Sequence, residues 1–592
     1  MQSNRRWVLQ QVSADCESLA RELGVPPIIA QLLANRGVAG TNDGRTFLNP
    51  VLKDLLPPHH LHGAVQAGKL LAEAIRDIRR IVLYGDYDVD GITGAAILWH
   101  ALRHAGAEVS CYVPHRVEEG YGINVEAVRR LVADGAQMIV SVDCGITAVA
   151  SAEFLRDAGV PLIVTDHHTP QQTLPAAAAI VHPGLGGESG NPDLSGSGVA
   201  FKTAWAFLQA HHGAERLPPA ARELLMELLP LAALGTTADV VPLCGENRLL
   251  VKHGLEALPR SRLAGIQALI QSAGLANEKI RCYDVGFKLG PRINAAGRMG
   301  HARLAVELFT SAGEARAREI ALYLEDHNRA RQGAERKHAH HAFEMIERGK
   351  LAGDAKRAIV LASEGWHPGV IGIVAARVVD RYHRPAILIA LNNGEGQGSA
   401  RSIARFDLSA ALEECADHLL NFGGHAMAAG LRIAAGKVED FTRAFVNRAN
   451  RRLTGDDLIP RLRIDAEVCL SSLTLSVAEA VAGMGPFGVG NPKPMLSTNW
   501  LDVAAEPRCV GAKGEHLQVA LRQNGLQLKG IGFGLASHAE DLKLHRRCRV
   551  AFEPIVNEFN GRKSVELQIA DFQFPGGNGQ PAPSQEGPML AM

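Results

Sequence analysis

The sequence has no excess of charge of either sign, because 62 lysine and arginine residues balance 62 aspartate and glutamate residues. Overall charge therefore gives no support to nucleic-acid binding, and any basic surface must be local. The nine cysteines are scattered and include no CxxC pair. A chain this large needs no disulfide bonds for stability, so we expect free thiols in a reducing cytosol.

Long apolar runs are also missing. No uncharged stretch reaches the roughly 18 residues of a membrane span, and the first residues, MQSNRRWVLQQVSAD, lack the apolar region of a signal peptide. Apolar residues make up 46% and charged residues 21%, which excludes a wholly disordered, collagen-like or coiled-coil chain. We expect a cytoplasmic protein that does not bind membranes, and its 592 residues predict three or four domains.

An alternation of apolar β-type runs with helix-like stretches begins near residue 60 and continues to about residue 190. The predicted strands are 81–84, 109–113, 138–142, 161–165 and 179–181. Such alternation is typical of a parallel sheet covered by helices, that is, of an α/β fold. Sheets of this kind bind ligands at the carboxyl ends of their strands.

The pattern of predicted secondary structure changes in the second half of the chain. Residues 302–350 contain few helix breakers and predict one continuous helix that joins two domains. Residues 356–450 restart the α/β pattern. From about 455, β-type segments alternate with turns, including the hairpin signal Asn560-Gly561, which predicts a small β-barrel. The final stretch, PGGNGQPAPSQEGP, has the composition of a disordered tail.

Four loops carry acidic residues and histidines where ligands are expected. They are YGDYDVDG with Asp86, Asp88 and Asp90, VDCG with Asp143, TDHH with Asp166, His167 and His168, and GTTADVVPL with Asp239. Carboxylates gathered at one sheet edge repel one another unless cations lie between them. Mixed aspartate and histidine ligation suits Mn²⁺, Mg²⁺ or Zn²⁺, and the oxygen-rich balance here favours Mn²⁺ or Mg²⁺. A pair of such ions suits phosphoryl displacement.

Simpler interpretations exist for single members of this set. Asp143 alone has the position of an ordinary helix cap. The DxDxDG pattern resembles a calcium loop, but Ile97 occupies the position where that loop requires glutamate. Cys144 has no evident activating base, so a packed thiol is favoured over a nucleophile. The four loops together predict the metal site.

The four motifs, in this order and spacing, resemble those of the DHH phosphoesterase superfamily. Further segments resemble its RecJ family of bacterial exonucleases, which degrade single-stranded DNA from the 5′ end. These segments are PHRVEEGYG (114–122), LGPRINAAGRMG (289–300), EGWHPGVIGIVAAR (364–377), GSARS (398–402) and FGGHAMAAG (422–430). The resemblance implies a parallel-sheet DHH domain joined by a long helix to a smaller α/β DHHA1 domain, followed by a β-barrel OB-fold.

The same resemblance implies domain boundaries. They are an N-terminal helical lead-in (1–60), the DHH catalytic domain (61–300), a connecting helix (301–350), the DHHA1 domain (351–454), the OB-fold (455–573) and a disordered tail (574–592).

Metal ligation is implied by the resemblance, with two Mn²⁺ or Mg²⁺ ions bridged by Asp143. Asp90, His167 and Asp239 would complete one site and Asp88 the other. Pyrophosphatase relatives carry a histidine where this chain has Tyr84, and Asp86 is expected to replace it. His168 would face the scissile phosphate, and Asp166 would orient the histidines.

DNA-binding residues follow from the family motifs. The resemblance implies a 5′-phosphate site formed by Ser399, Arg401 and the Gly423-Gly424-His425 turn. Asn294 and Arg298 would line the passage for the strand. Arg116 is ambiguous between a DNA contact and an ion pair with Glu118 or Glu119.

The activity implied is a monomeric, single-strand-specific 5′→3′ exodeoxyribonuclease that releases 5′-mononucleotides during DNA recombination and repair. The implied partners are single-stranded DNA, a single-strand-binding protein and a RecQ-type helicase. Two alternatives stay open: a DHH phosphodiesterase for short oligonucleotides or cyclic dinucleotides, and a non-catalytic scaffold that binds single-stranded DNA.

Overall fold

The computed structural model describes residues 5–12, 15–114, 119, 122–186, 190–298, 302–353 and 355–576. The strands are β1 Arg6–Leu9, β2 Ile81–Gly85, β3 Val109–Tyr112, β4 Met138–Val142, β5 Leu162–Thr165, β6 Ala179–Val181, β7 Ile359–Glu364, β8 Ala386–Asn392, β9 Glu395–Arg401, β10 Asn421–Gly424, β11 Ala428–Ala434, β12 Arg461–Ile464, β13 Ala466–Val468, β14 Leu496–Thr498, β15 Leu501–Val503, β16 Arg508–Val510, β17 His516–Gln523, β18 Leu526–Gly532, β19 Arg547–Phe559 and β20 Arg562–Gln573.

The α-helices are α1 Cys16–Leu23, α2 Pro27–Ala34, α3 Thr41–Leu48, α4 Ala64–Arg76, α5 Val89–His104, α6 Val125–Ala133, α7 Val149–Asp157, α8 Gly196–His212, α9 Pro219–Ala238, α10 Gly245–Ala257, α11 Ala264–Ser272, α12 Cys282–Asp284, α13 Gly290–Arg298, α14 Ala302–Phe309, α15 Glu314–Arg348, α16 Pro368–Tyr382, α17 Leu408–Glu413, α18 Val438–Arg452, α19 Leu475–Gly483 and α20 Ala539–His545. None of the helices in the described part of the chain is both long enough and apolar enough to span a bilayer.

The chain divides into two compact units. One contains residues 14–328 together with 479–493, and the other contains 1–13, 329–478 and 494–592. The boundary at residues 328 and 329 falls inside α15. We call these the sheet-edge unit and the barrel unit, after the features described below.

The sheet-edge unit is built on a five-stranded parallel sheet in the order β3-β2-β4-β5-β6. Successive side chains of a strand point to opposite faces of the sheet. On one face, Ile81 and Leu83 are part of the larger core, which includes residues of α4, α5, α8, α9 and α10. Val82 and Tyr84 join the smaller core with residues of α6 and α7. The sheet is covered on both faces, which explains why its strands read as continuous apolar runs. All five strands predicted from the sequence are confirmed.

A short segment from late in the sequence completes this unit. The buried guanidinium of Arg248 in α10 donates hydrogen bonds to the carbonyl oxygens of Met484 (2.9 Å), Gly485 (2.9 Å) and Pro486 (3.3 Å). It also lies 4.0 Å from the ring centroid of Phe47. Burial lowers the pKa of Arg248 to about 10. These contacts fix the segment 479–493 to the folded body of the unit.

The barrel unit contains three further sheets, the smallest of which pairs β1 with β12. Strands β7 to β11 form a mixed sheet in the order β10-β11-β9-β8-β7, and α16 packs on β8 and β9. The C-terminal strands close a barrel, because β19 pairs with β15, β15 with β17, β17 with β18, β18 with β20, and β20 with β19 again. The predicted hairpin at Asn560-Gly561 joins β19 to β20, with both residues at positive φ (49° and 74°) as a type I′ turn requires.

Two features differ from the sequence-based predictions. The continuous helix predicted over 302–350 is wrong, because α14 ends at Phe309 and α15 starts at Glu314. The amide of Ala312 closes α14 by donating to the carbonyl of Glu307, and the carbonyl of Gly313 accepts the first bond of α15 from Ala317. Strand β1 lies in the segment predicted to be helical, and it pairs in parallel with β12.

Candidate active site

Acidic residues meet where the strand order of the parallel sheet reverses. Strands β2 and β4 are neighbours, and their connections leave to opposite sides of the sheet, which creates a crevice at their carboxyl ends. Asp86 directly follows β2, and Asp143 directly follows β4. The amide of Asp86 donates to Val142 and that of Asp143 to Thr165, so both residues are held by ladder-type bonds to the neighbouring strand.

The DYDVD loop places two more carboxylates by helix capping. Asp88 is the N-cap of α5, and its side chain accepts bonds from the amides of Asp90 and Gly91. Asp90, buried at 1% exposure, reaches the start of another helix. Its two carboxylate oxygens accept bonds from the amides of Gly196 (2.6 Å) and Ser197 (2.9 Å) at the N-terminus of α8. The exposed amides of a helix N-terminus stabilise an anion there.

Asp143 occupies an unusual backbone position. Its φ is 62°, a left-handed conformation that costs energy for a residue other than glycine and that recurs at functional sites. The side chain is buried beside Gly196, because a Cβ built on Gly196 would lie 2.7 Å from Cγ of Asp143. Only glycine at position 196 leaves space for this carboxylate. Asp143 is therefore more than the ordinary helix cap that the sequence left open.

Asp166 organises the two histidines that follow it. One of its carboxylate oxygens accepts bonds from the amides of His167 (2.7 Å) and His168 (3.1 Å) and lies 2.8 Å from Nδ1 of His168. The other accepts from the amide of Ile146. Buried His182, which follows β6, supports the same loop, because its Nε2 lies 2.8 Å from the carbonyl oxygen of His168.

His167 faces three carboxylates. Its Nε2 lies 3.1 Å from Asp143, 3.5 Å from Asp239 and 3.9 Å from Asp90. Asp239 reaches the cluster from the C-terminal end of α9, not from a strand. Among the described residues this nitrogen is buried without a hydrogen-bond partner of acceptable geometry. A buried nitrogen directed at carboxylate oxygens has the environment of a metal ligand.

The electrostatics of the cluster are those of crowded, buried acids. Burial, reinforced by the neighbouring carboxylates, raises the pKa of Asp143 well above its usual value. The same causes raise the pKa of Asp88 and bring that of Asp239 to about 8. Burial lowers the pKa of His167, which favours the neutral imidazole that ligates metals. Without cations, the cluster therefore retains protons near neutral pH.

His168 behaves differently from His167. Burial works against its charged form, but the hydrogen bond to Asp166 and the charge of that carboxylate raise the pKa of His168. Burial also opposes ionisation of Asp166, yet the bonds from His168 and Ile146 hold the pKa of Asp166 below its usual value. The pair therefore favours an imidazolium beside a carboxylate, an arrangement that can donate a proton or stabilise negative charge.

Within the described part of the chain, three groups of side chains bring ligand atoms within 4.8 Å of one another. They are Asp86, Asp88 and Asp143; Asp90, His167 and Asp239; and Asp143, His167 and His168. Asp143 belongs to two of these groups, so one carboxylate could serve two ions. The donor set is mostly oxygen, which suits Mn²⁺ and Mg²⁺.

The barrel unit gathers the residues expected to bind a 5′-phosphate. Ser399 and Arg401 lie on β9, and Nη1 of Arg401 donates to Oγ of Ser399 (3.3 Å). A Cβ on Gly372 of α16 would lie 2.8 Å from Oγ of Ser399 and 3.3 Å from Nη2 of Arg401. Gly372 therefore leaves space beside both groups.

The Gly-Gly-His turn lies on the same sheet. Gly430 of β11 pairs with Ser399 on one side and with Gly423 of β10 on the other. Gly424 has φ 145°, and a Cβ there would lie too close to the backbone of Ala428 and Ala429, so the turn requires glycine. The exposed residue His425 donates its amide to the carbonyl of Ala428 (2.8 Å).

The remaining expected DNA-contacting residues lie in the sheet-edge unit. Asn294 and Arg298 are both part of α13, and Asn294 is half-buried. Arg116 lies outside the described residues, so its two interpretations stay open. Glu119, one of its suggested partners, accepts a bond from the hydroxyl of Tyr112 and forms an ion pair with Arg130.

Sequence reasoning did not identify several residues that shape these sites. Gly196, Gly235 and Gly372 each lie where a Cβ would collide with an expected site residue: Asp143, Asp90 and Ser399, respectively. His182 follows a predicted strand end, and this position was the available signal for it. The glycines gave no signal, because the collision depends on neighbours far away in sequence.

Comparison with known proteins agrees with this geometry. Family models match the DHH family N-terminal domain at residues 80–236, the DHHA1 domain at 355–451 and the RecJ OB domain at 464–571. The parallel sheet, the second α/β sheet and the C-terminal barrel thus confirm the predicted fold class.

Relatives named single-stranded-DNA-specific exonuclease RecJ cover nearly the whole chain. The protein from Bacillus subtilis (strain 168) is 38% identical, with 96% of this chain and 71% of the relative covered. The protein from Escherichia coli (strain K12) is 35% identical, with 92% and 95% covered. The crystal structure of RecJ in complex with Mn²⁺ from Thermus thermophilus has a TM-score of 0.82 and 33% identity, covering 98% of this chain and 81% of that one. The chain therefore belongs to the RecJ family of the DHH phosphoesterases.

Proposed function

We propose that this protein is a metal-dependent exonuclease that degrades single-stranded DNA from the 5′ end and releases 5′-mononucleotides. The observation that carries the proposal is the cluster of carboxylates and histidines at the point where the sheet order reverses. Relatives similar over most of the chain are named single-stranded-DNA-specific exonucleases, which supports the substrate. The proposed role is in DNA recombination and repair.

We assign two divalent metal ions, Mn²⁺ or Mg²⁺, to this cluster. Asp143 would bridge them, with Asp90, His167 and Asp239 on one side and Asp86 and Asp88 on the other. The fit is supported by the raised pKa values of Asp143 and Asp239 and by the unsatisfied Nε2 of His167. When bound, such a pair of ions supplies an activated water and offsets charge on the phosphate oxygens.

The protein's own residues then position the strand and move the proton. With Nδ1 of His168 held by Asp166 at 2.8 Å, Nε2 is the nitrogen that can donate to a phosphate oxygen or to the departing 3′-oxygen. Asp166 maintains the orientation and charge of His168. Asp90 is held in place by its two bonds from the amides at the start of α8.

The 5′-phosphate site is proposed at Ser399, Arg401, Gly423, Gly424 and His425. The hydroxyl of Ser399, the guanidinium of Arg401 and the exposed imidazole of His425 together provide donors that suit a terminal phosphate. Asn294, Arg298 and Arg116 are proposed to contact the strand on its way to the metal ions.

We also propose the domain boundaries 61–300 for the DHH domain, 351–454 for DHHA1 and 455–573 for the OB-fold. Each of the three matched family models falls inside one of these ranges, which supports them. The tail, 574–592, lies mostly outside the described residues.

The proposed partners beyond the DNA are a single-strand-binding protein and a RecQ-type helicase, which would supply accessible single strands. A cytoplasmic location is proposed because none of the nine cysteines, all of which the structure describes, forms a disulfide, which suits a reducing compartment.

Digestion of single-stranded DNA labelled at its 3′ end tests the function. We expect the label to move through progressively shorter products with Mn²⁺ or Mg²⁺ and to stay in full-length DNA with chelator. Asp143→Ala should lower the rate about a thousandfold or more, because a ligand shared by both ions is lost. Asp157→Ala, an exposed carboxylate on α7, is the matched control and should keep the wild-type rate.

Other outcomes would identify the alternatives. If the wild-type protein binds the strand but leaves it intact with either metal, it is a scaffold. If long strands survive while dinucleotides or cyclic dinucleotides are cleaved, it is a small-substrate phosphodiesterase.

A further inference from the structure

Two aromatic rings lie stacked on the surface of the sheet-edge unit, between α11 and α13. The rings of Tyr283 and Phe287 have centroids 4.7 Å apart and planes inclined by 27°. Both residues are exposed, Tyr283 at 60% and Phe287 at 68%. Aromatic side chains carry large apolar surfaces that folding normally buries. Two exposed rings that stack on each other are therefore a candidate binding surface for a planar group.

The backbone that carries the rings is unusual. Residues 285–289 form a π-helical turn, a rare conformation that is enriched at functional sites. Val285 and Leu289 on this turn are fully buried in the larger core, so the turn is firmly anchored while the rings face solvent. Gly286 between the rings is exposed, and a Cβ there would meet nothing within 4 Å. The surface beside the rings is therefore open.

The same turn borders the carboxylate cluster. It packs against α9, which ends in Asp239, and α13 packs against α5, which begins with the DYDVD loop. A Cβ on Gly290 would lie 3.7 Å from Ala238 and 3.8 Å from Val89, the residues next to Asp239 and Asp90. The turn that carries Phe287 is thus in direct contact with a helix that leads to a candidate ligand.

The charge around the rings suits a polyanion. Lys279 and Arg281 are exposed just before Tyr283, and neither forms an ion pair with another described residue. Lys288, next to Phe287, pairs with Asp284 at 2.7 Å. Aromatic faces flanked by cations are the pattern with which proteins bind single strands without sequence preference, because every base offers a π face and every nucleotide a phosphate.

We propose that Tyr283 and Phe287 form a stacking platform for a base of the DNA strand whose phosphate lies in the carboxylate cluster. The proposal rests on the proposed nuclease function and adds to it a site outside the metal ligands and outside the 5′-phosphate residues. Lys279 and Arg281 contact the phosphates that flank the stacked base. Because any base stacks on the platform, the platform holds the strand without selecting a sequence.

Binding of a 3′-fluorescein, 5′-phosphorylated oligothymidylate to the full-length protein tests the platform, with chelator present to prevent cleavage. The double variant Tyr283→Leu, Phe287→Leu keeps apolar side chains but removes both rings, and we expect its affinity to fall by about tenfold to a hundredfold. Tyr283→Phe keeps the ring and should bind like wild type. Leu322→Ala removes another exposed apolar side chain of the same unit (62% exposed) and should change nothing.

A scan with one abasic position at a time distinguishes stacking from a general loss of structure. In the wild type, at least one abasic position should weaken binding by about tenfold, and the double variant should lose nothing further at that position. Equal losses in wild type and double variant at every position would overturn the platform.

The outcome is separable from that of the proposed function. If the wild-type protein degrades the strand with Mn²⁺ but the double variant binds it unchanged, the platform is wrong and the nuclease stands. If the wild type neither binds nor degrades the strand, the proposed function itself fails.

Discussion

Replacing Gly196 by alanine should disable the active site through a single methyl group. Gly196 opens α8, and its amide donates to Asp90 at 2.6 Å while its Cα faces Asp143. A Cβ at this position would lie 2.7 Å from Cγ and 2.8 Å from Cβ of Asp143. Neither partner can retreat easily, because Asp143 is buried at the end of a central strand and Gly196 is bonded to Asp90.

The size of the effect follows from these distances. An ordinary contact begins near 3.4 Å, so the carboxylate must shift by more than half an ångström. Overpacking of this kind costs about 1–3 kcal/mol of folding stability, which a protein of this size can tolerate. A misplacement approaching 1 Å in a catalytic group costs up to ~100-fold in rate. We therefore expect a folded protein whose cleavage rate is about 10- to 100-fold lower.

Single-turnover digestion of 3′-labelled single-stranded DNA, with enzyme in excess and saturating Mn²⁺, measures this rate directly. Thermal unfolding of the same samples separates misplacement from loss of fold. Gly333→Ala in α15 is the control, because a Cβ there meets nothing within 4 Å and alanine favours a helix. A folded Gly196→Ala protein that cleaves at the wild-type rate would refute the reasoning, since it would mean that the position of Asp143 does not limit catalysis.

Three further perturbations have defined outcomes. The raised pKa of Asp239, about 8 against an unfolded value near 4, stabilises the metal-free protein only while the carboxyl is protonated. Its melting temperature with chelator should therefore fall as the pH rises from about 4 to about 8, and Mn²⁺ should abolish that fall. Arg401→Lys loses the two-pronged guanidinium and should reduce the preference for 5′-phosphorylated over 5′-hydroxyl strands about tenfold in competition digests. Arg248→Met removes the side-chain donor to the carbonyl of Gly485, while the carbonyls of Met484 and Pro486 keep a bond from Asn491. It should lower the free energy of unfolding by about 1–3 kcal/mol in urea titrations; an unchanged midpoint would contradict this account.

The sheet and its acidic edge could be predicted from the sequence for a simple physical reason. Parallel strands buried on both faces read as continuous apolar runs, and their carboxyl ends meet at one edge. Asp86, Asp143 and Asp166 follow such runs directly, so their proximity is a consequence of topology. Asp239 ends a helix instead, so the strand topology does not place it beside the others, and the resemblance of its motif supplied its role as a ligand.

Other features depended on neighbours that a single sequence does not reveal. Strand β1 is four residues long and pairs with a segment about 450 positions away, so nothing local distinguishes it from the helices that follow. The break between α14 and α15 is set by a capping bond within a stretch of good helix-forming residues. Gly235 and Gly372 are needed only because distant side chains occupy the space that a methyl group would fill.

The late segment that binds Arg248 has a consequence for how the protein is made. The body of the sheet-edge unit ends at residue 328, but its last piece, 479–493, is translated 165 residues later than that. At roughly 5–20 residues per second, the 238 positions from Arg248 to Pro486 leave the guanidinium of Arg248 without those three carbonyl acceptors for about 10–50 s. A fragment that stops after α15 would contain every candidate metal ligand and yet remain permanently in that unfinished state. The last part of the unit to be synthesised thus completes a folded body whose first residues were translated several hundred positions earlier.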